Sequence, residues 1–299
     1  MARPLRDRDP ENYHLVTVRT EEARIWMVPS EKVNEVIGGV LARYQELLRI
    51  TIYAFCILGN HLHLLVHACD RNLDQYMENV LREIARRVNR LNDRRGHLWS
   101  RRYDDQVIMR QEDLLEAFLY VSTNAVKHGL VKDMRSWPGL SSYQLMDDNP
   151  RQYPFVHYSR RADSGKPAVS LHRLTLTCLP QHAGVRLSKR RALVSELIDE
   201  RQQWIVRERL RSGAGFLGAK SVLRQPPGRI PATVSYSPRP ICYTSDPKLR
   251  KEYRAERSLF RQYYCEASEK FRSGKLDTRF PPHCFKPPLH RSPRQRLAA

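Results

Sequence analysis

Residues 13–20 (YHLVTVRT) alternate apolar with polar positions and are rich in β-formers, which predicts a strand. After Ser30, a residue suited to an N-cap, Val33, Val36, Ile37, Val40, Leu41, Tyr44, Leu47 and Leu48 recur at helical spacing. Gly38 and Gly39 weaken that helix without breaking its stripe. Residues 51–58 (TIYAFCIL) and 61–68 (HLHLLVHA) read as two strands joined at Gly59-Asn60, a hairpin signal. A long helix follows over 72–92, with Leu73, Met77, Val80, Ile84, Val88 and Leu91 on its core face. The segment GHLWSRRYDDQVIM leads into a strand at 104–109, and a helix runs over 112–126 before His128-Gly129. The order is β-α-β-β-α-β plus one helix. It predicts an α+β fold, a ferredoxin-like or RRM-like βαββαβα antiparallel sheet with helices on one face and the other face free for a ligand.

Beyond residue 150 the pattern loosens. Residues 151–170, with Pro154, Arg160, Arg161, Ser164, Gly165 and Pro167, read as a linker. A helix is expected over 189–210, capped by Ser188 and carrying Leu193, Leu197, Trp204 and Val206. Another could start near Phe216, residues 226–247 are loop-rich, and a basic helix over 248–271 carries Tyr253, Leu259, Phe260, Tyr263 and Tyr264. The end (FPPHCFKPPLHRSPRQR) is expected to be extended and partly disordered. The organisation expected is a first domain over 1–150, a linker over 151–170 and a basic, mostly helical DNA-binding accessory region over 171–299.

Charge sharpens the same division. Of 52 basic and 32 acidic residues, residues 1–150 hold 21 of each, so the whole net charge of +20 falls on residues 151–299. Such one-sidedness predicts a polyanionic partner, and nucleic acid is favoured over membrane because no basic amphipathic helix has a strong apolar face. No apolar stretch is long enough to span a bilayer, and Met1 to Arg8 leads into no secretory h-region. The six cysteines are scattered without a CxxC pair, excluding a zinc ribbon or disulfide scaffold. A reduced, cytoplasmic protein associated with the nucleoid is the expectation.

The candidate chemistry lies in the first half. His61 and His63 flank Leu62 on a strand, so both imidazoles point to one face and form half of a divalent metal site. His67 shares their parity but lies farther along and is set aside. Tyr120 and Asn124 are four apart on the last helix, on its polar side with Glu116, Thr123 and Lys127. An Asn amide oxygen is a hard neutral ligand that could complete the site. Two solvated histidines or a rim tyrosine are common by themselves; the combination is what draws attention.

Taken in order, GNHLHLLV, GHLWSRRY, FLYVSTNAVKHGLV and WPGLSSY resemble the single-tyrosine HUH transposases, and within them the REP-associated tyrosine transposase branch. The opening, with Arg3-Pro4-Leu5 and Tyr13-His14, fits as well, and the resemblance covers about residues 3–146. Its HUH endonuclease fold is the βαββαβα sheet derived above. Carried over residue by residue, the resemblance implies His61, His63 and Asn124 as ligands of Mg²⁺ or Mn²⁺ and Tyr120 as nucleophile. One departure is Asn124-Ala125 where the family often has Asn-Pro. Arg101 and Arg102 sit in the family's basic-aromatic segment; with Arg86, Arg90 and Lys127 they are assigned to DNA contact. FLGAKSVLRQ and FPPHCFKPPL resemble tails of some members of this branch.

The implied reaction is transesterification on single-stranded or hairpin DNA through a 5′-phosphotyrosine, with Glu116 a candidate base. One tyrosine per chain makes paired cleavages a task for a homodimer or for sequential turnover. Two alternatives stand beside this reading. One is a catalytically inactive, domesticated nucleic-acid-binding protein on the same fold. The other is an HUH replication initiator or relaxase, which the short chain disfavours.

Overall fold

The computed structural model describes residues 5–146, 150–158, 167–231 and 240–289. They fall into two units, one spanning Pro10–Tyr243 and the other combining residues 5–9 with 244–289. In the larger unit β1 (Tyr13–Arg19) is the middle strand. It pairs antiparallel with β3 (His61–His67) on one side and β4 (Asp104–Ile108) on the other. β2 (Thr51–Ile57) pairs antiparallel with β3, and the two-residue β7 (Cys242–Tyr243) lies parallel to β4. The order β2-β3-β1-β4-β7 is the expected ferredoxin-like sheet with one strand added from a segment that reads as loop.

Strand alternation sends Val16, Val18, Leu62, Leu64 and Val66 to one side. There they pack with α1 (Glu31–Leu48) and α2 (Leu73–Leu91) through residues such as Ile37, Leu41, Val80 and Ile84. Ser30 caps α1 as expected, its Oγ accepting the Val33 N–H at 3.2 Å. The opposite face is not free, contrary to expectation. Leu15, Tyr53 and Leu65 project there, and burying them recruits α3 (Gln111–Ser122), α4 (Asn124–Lys127) and α5 (Leu187–Arg211) through Phe118, Val121, Val126 and Ile198.

The expected linker over 151–170 is also corrected. Its described residues contribute β5 (Arg151–His157) and β6 (Ala168–Leu174), a separate antiparallel pair; residues 159–166, with Arg160, Arg161, Ser164 and Gly165, lie outside the described residues. Phe155 and Leu174 are buried in the core cluster of α1 and α2. This explains Gly38 and Gly39: a Cβ at either would run into the Tyr153 ring or the Pro154 carbonyl. The helix gives up propensity so that a strand can cross it closely.

The boundary at 150 moves accordingly, because the larger unit continues to Tyr243. α5 starts at Leu187 with Arg186 as N-cap in place of Ser188. It buries Ile198 and Ile205, and Gln202 Oε1 accepts the Met134 N–H at 2.6 Å; Trp204 stays exposed. The short α6 (Ala219–Leu223) buries Val222 in the same cluster. In the smaller unit α7 (Pro247–Arg272) is capped by Asp246, whose Oδ1 accepts the Lys248 N–H at 2.8 Å. Tyr253 donates to Asp7 at 3.2 Å, and Phe271 packs edge-on to Phe280. Leu259 and Tyr263 remain exposed. The terminal residues 290–299 of the expected disordered tail lie outside the described residues. No described helix is long and apolar enough to cross a membrane.

Candidate active site

The site forms on the sheet face covered by α3 and α4. His61 and His63 point there as their alternation requires, each only 4% exposed, with ring centroids 5.1 Å apart and nearly perpendicular. Each is held through Nδ1. Asn60 anchors its own amide by donating Nδ2–H to the Ala23 carbonyl at 2.9 Å, which turns Oδ1 toward His61 Nδ1 at 2.7 Å. His61 Nδ1–H therefore donates, leaving the Nε2 lone pair for another partner. Across the β1–β3 ladder, Thr17 Oγ1 lies 2.8 Å from His63 Nδ1 and fixes that ring likewise. Burial, reinforced for His61 by His63, drives both pKa values down, that of His63 to about 3. Both rings are thus in the neutral form that binds metal. His67 is turned away from this pair, stacked on Tyr13 with Nε2 at 2.6 Å from the Pro10 carbonyl.

Tyr120 arrives from α3, its ring 5.2 Å from that of His63 and edge-on to it. Tyr120 and Asn124 do not share one continuous helix, as their spacing predicts. Thr123 takes φ −112 and ψ 15 between α3 and α4, and its Oγ1 donates back to the Leu119 carbonyl at 2.7 Å, a bond that bends helices. The break leaves Asn124 fully buried, with neither Oδ1 nor Nδ2 in a regular hydrogen bond. The amide still lies near enough to His61 and Tyr120 to bias their ionisation. Burial raises the Tyr120 phenol pKa, opposed by Asn124 and by the charge of Arg19.

Among the described residues no three His, Cys, Asp or Glu side chains are arranged to hold a metal ion. The candidate donors are instead the two imidazoles and the Asn124 amide. A buried amide oxygen without a regular hydrogen bond, beside two oriented imidazoles, fits a divalent cation, because such a cation would satisfy an atom otherwise costly to bury.

Of the cations expected to touch DNA, Lys127 lies directly at Tyr120, its Nζ 4.2 Å from the ring centroid. Arg86 and Arg90 belong to α2, on the other side of the sheet. There Arg86 pairs with Glu83 at 2.8 Å and Arg90 lies over the Tyr158 ring at 3.7 Å. Arg101 pairs with Asp104, and Arg102 precedes β4 in the same segment. Glu116 is not placed as a base: Arg201 Nη2 donates to both its oxygens, at 2.6 and 2.7 Å.

Four neighbours escape the motif reading. Thr17 and Arg19 share strand parity on β1 and so were legible from alternation. His128 stacks edge-on to His61 at 4.9 Å, where its adjacency to Lys127 was the only signal. Tyr243, 6.5 Å from Tyr120 between ring centroids, comes from a strand too short to read.

Comparison with known proteins shows what this chain is similar to. Over 97 residues the chain is 30% identical to a Haemophilus influenzae protein named as a REP-associated tyrosine transposase, covering 28% of this chain. The matched part spans 54% of that relative, about half its length. A structure of a REP-associated tyrosine transposase bound to a REP hairpin aligns at 20% identity and a TM-score of 0.41, over 48% of this chain and 84% of that one. A Deinococcus radiodurans protein assigned as a transposase aligns at 17% identity and a TM-score of 0.28, over 35% and 84%. Residues 10–121, which include both histidines and Tyr120, match the family described as Transposase IS200 like. This match agrees with the resemblance carried by the sequence motifs.

Proposed function

We propose that the chain is a metal-dependent single-strand DNA endonuclease and strand transferase acting on hairpin, REP-like DNA. The observation that carries the reading is the convergence of His61 and His63, both held through Nδ1, with the Tyr120 ring 5.2 Å from His63. A divalent ion, Mg²⁺ or Mn²⁺, held by His61, His63 and Asn124 would supply Lewis-acid polarisation of the scissile phosphate. Tyr120 Oη attacks phosphorus in line; the Oη–P bond forms as the P–O3′ bond breaks. The phenol proton leaves to solvent, and the 3′-oxygen departs as a hydroxyl. Attack by a second 3′-hydroxyl reverses these steps and joins a new strand without ATP.

Lys127 holds the phenol ring in place and adds positive charge beside it. The basic residues beyond 150 supply affinity for the phosphate backbone, and paired cleavages employ two copies of the chain. Incubation of labelled single-stranded hairpin DNA from the flanks of the encoding locus with Mg²⁺ or Mn²⁺, followed by a denaturing protein gel, tests the proposal. A covalent band with the wild type that disappears in Tyr120→Phe and with EDTA is expected. Binding without an adduct, across flanks and metals, would favour the inactive DNA-binding reading.

A further inference from the structure

On the site face of the sheet, β1 and β3 place their side chains in directly opposed pairs: Tyr13 with His67, Thr17 with His63, and Arg19 with His61. The first two pairs are in contact, as a ring stack at 4.9 Å and as the 2.8 Å hydrogen bond. The third obeys the same geometry. Opposed residues of an antiparallel pair have Cβ atoms about 4.5–5.5 Å apart on one face, so the Arg19 side chain starts beside the His61 ring.

The end of the strand is held independently of that side chain. Ser100 donates its N–H to the Arg19 carbonyl at 3.0 Å and its Oγ–H to the same oxygen at 3.1 Å. Thr20 bridges to Trp99. The backbone is therefore anchored on the segment 98–100. Arg19 itself is half-buried.

We infer that Arg19 is a catalytic residue that binds the non-bridging oxygens of the scissile phosphate beside His61. This rests on the proposed strand-transfer reading and deepens it. A guanidinium presents a planar fork of donors matched to phosphate, and fixed positive charge offsets the charge that builds on those oxygens as Tyr120 attacks. With Glu116 tied to Arg201, positive charge rather than a carboxylate base is what this site offers the phenol.

The test removes charge from either partner. Wild type, Arg19→Ala and Arg19→Lys are compared on an oligonucleotide with an ordinary phosphodiester at the mapped cleavage position, and on one with a neutral methylphosphonate there. Arg19→Ala is expected to slow adduct formation on the phosphodiester by about 100-fold or more, with Arg19→Lys recovering part of the loss. On the methylphosphonate, which has no anionic charge to offset, the deficit of Arg19→Ala should shrink to less than about tenfold. A variant merely misfolded would be slow on both substrates, and equal deficits would overturn the inference. So would an unimpaired Arg19→Ala. If the wild type forms no adduct with the phosphodiester, the strand-transfer reading itself fails and this one with it.

Discussion

Thr17 Oγ1 lies 2.8 Å from His63 Nδ1 across the β1–β3 ladder, so a hydroxyl on the middle strand fixes the orientation of an imidazole on its neighbour. Partners of this kind orient metal-binding rings, and losing one typically weakens metal affinity about 10–100-fold. Thr17→Val keeps the shape and removes the hydrogen bond. Calorimetric titration with Mn²⁺ should show weaker binding of that order while the circular dichroism spectrum is unchanged. Unaltered affinity would show that the bond does not organise the site.

Asn124 gives the opposite signature. Its amide is fully buried beside His61 and Tyr120 with no hydrogen bond of regular geometry, and polar atoms so placed cost about 1–3 kcal/mol when nothing else binds there. Asn124→Ala should therefore leave the metal-free protein as stable as the wild type or nearly so, despite a lost side chain. Metal affinity should fall. A urea midpoint that drops sharply without metal would mean the amide has protein partners and is not held open for a cation.

Gly39 sits mid-helix, where alanine usually stabilises by about 1 kcal/mol. Here a methyl group would meet the Pro154 carbonyl of β5. Gly39→Ala should destabilise by about 1–3 kcal/mol as helix and strand are forced apart. Urea denaturation followed by tryptophan fluorescence measures this. A stabilised variant would show that β5 does not press on α1.

That glycine pair shows where sequence reading stops. The alternation of residues 13–20 and 61–68 and the stripe of α1 locate β1, β3 and the first helix, because each depends on local period alone. The His61–His63 pair is legible for the same reason. Gly38 and Gly39 look like a weak spot until β5 is laid across them, and that contact joins residues more than 100 positions apart. The helix break at Thr123 is equally hidden, since nothing in FLYVSTNAV forbids a continuous helix. Tyr243 comes from two residues whose strand exists only because β4 offers an edge.

The central claim is that Tyr120 is the group joined to DNA. The most direct measurement digests the purified covalent adduct with trypsin and nuclease and locates the nucleotide mass by mass spectrometry. The mass is expected on the peptide running from Gln111 to Lys127, at Tyr120. Its appearance on a peptide containing Tyr243, or on none, would contradict the account.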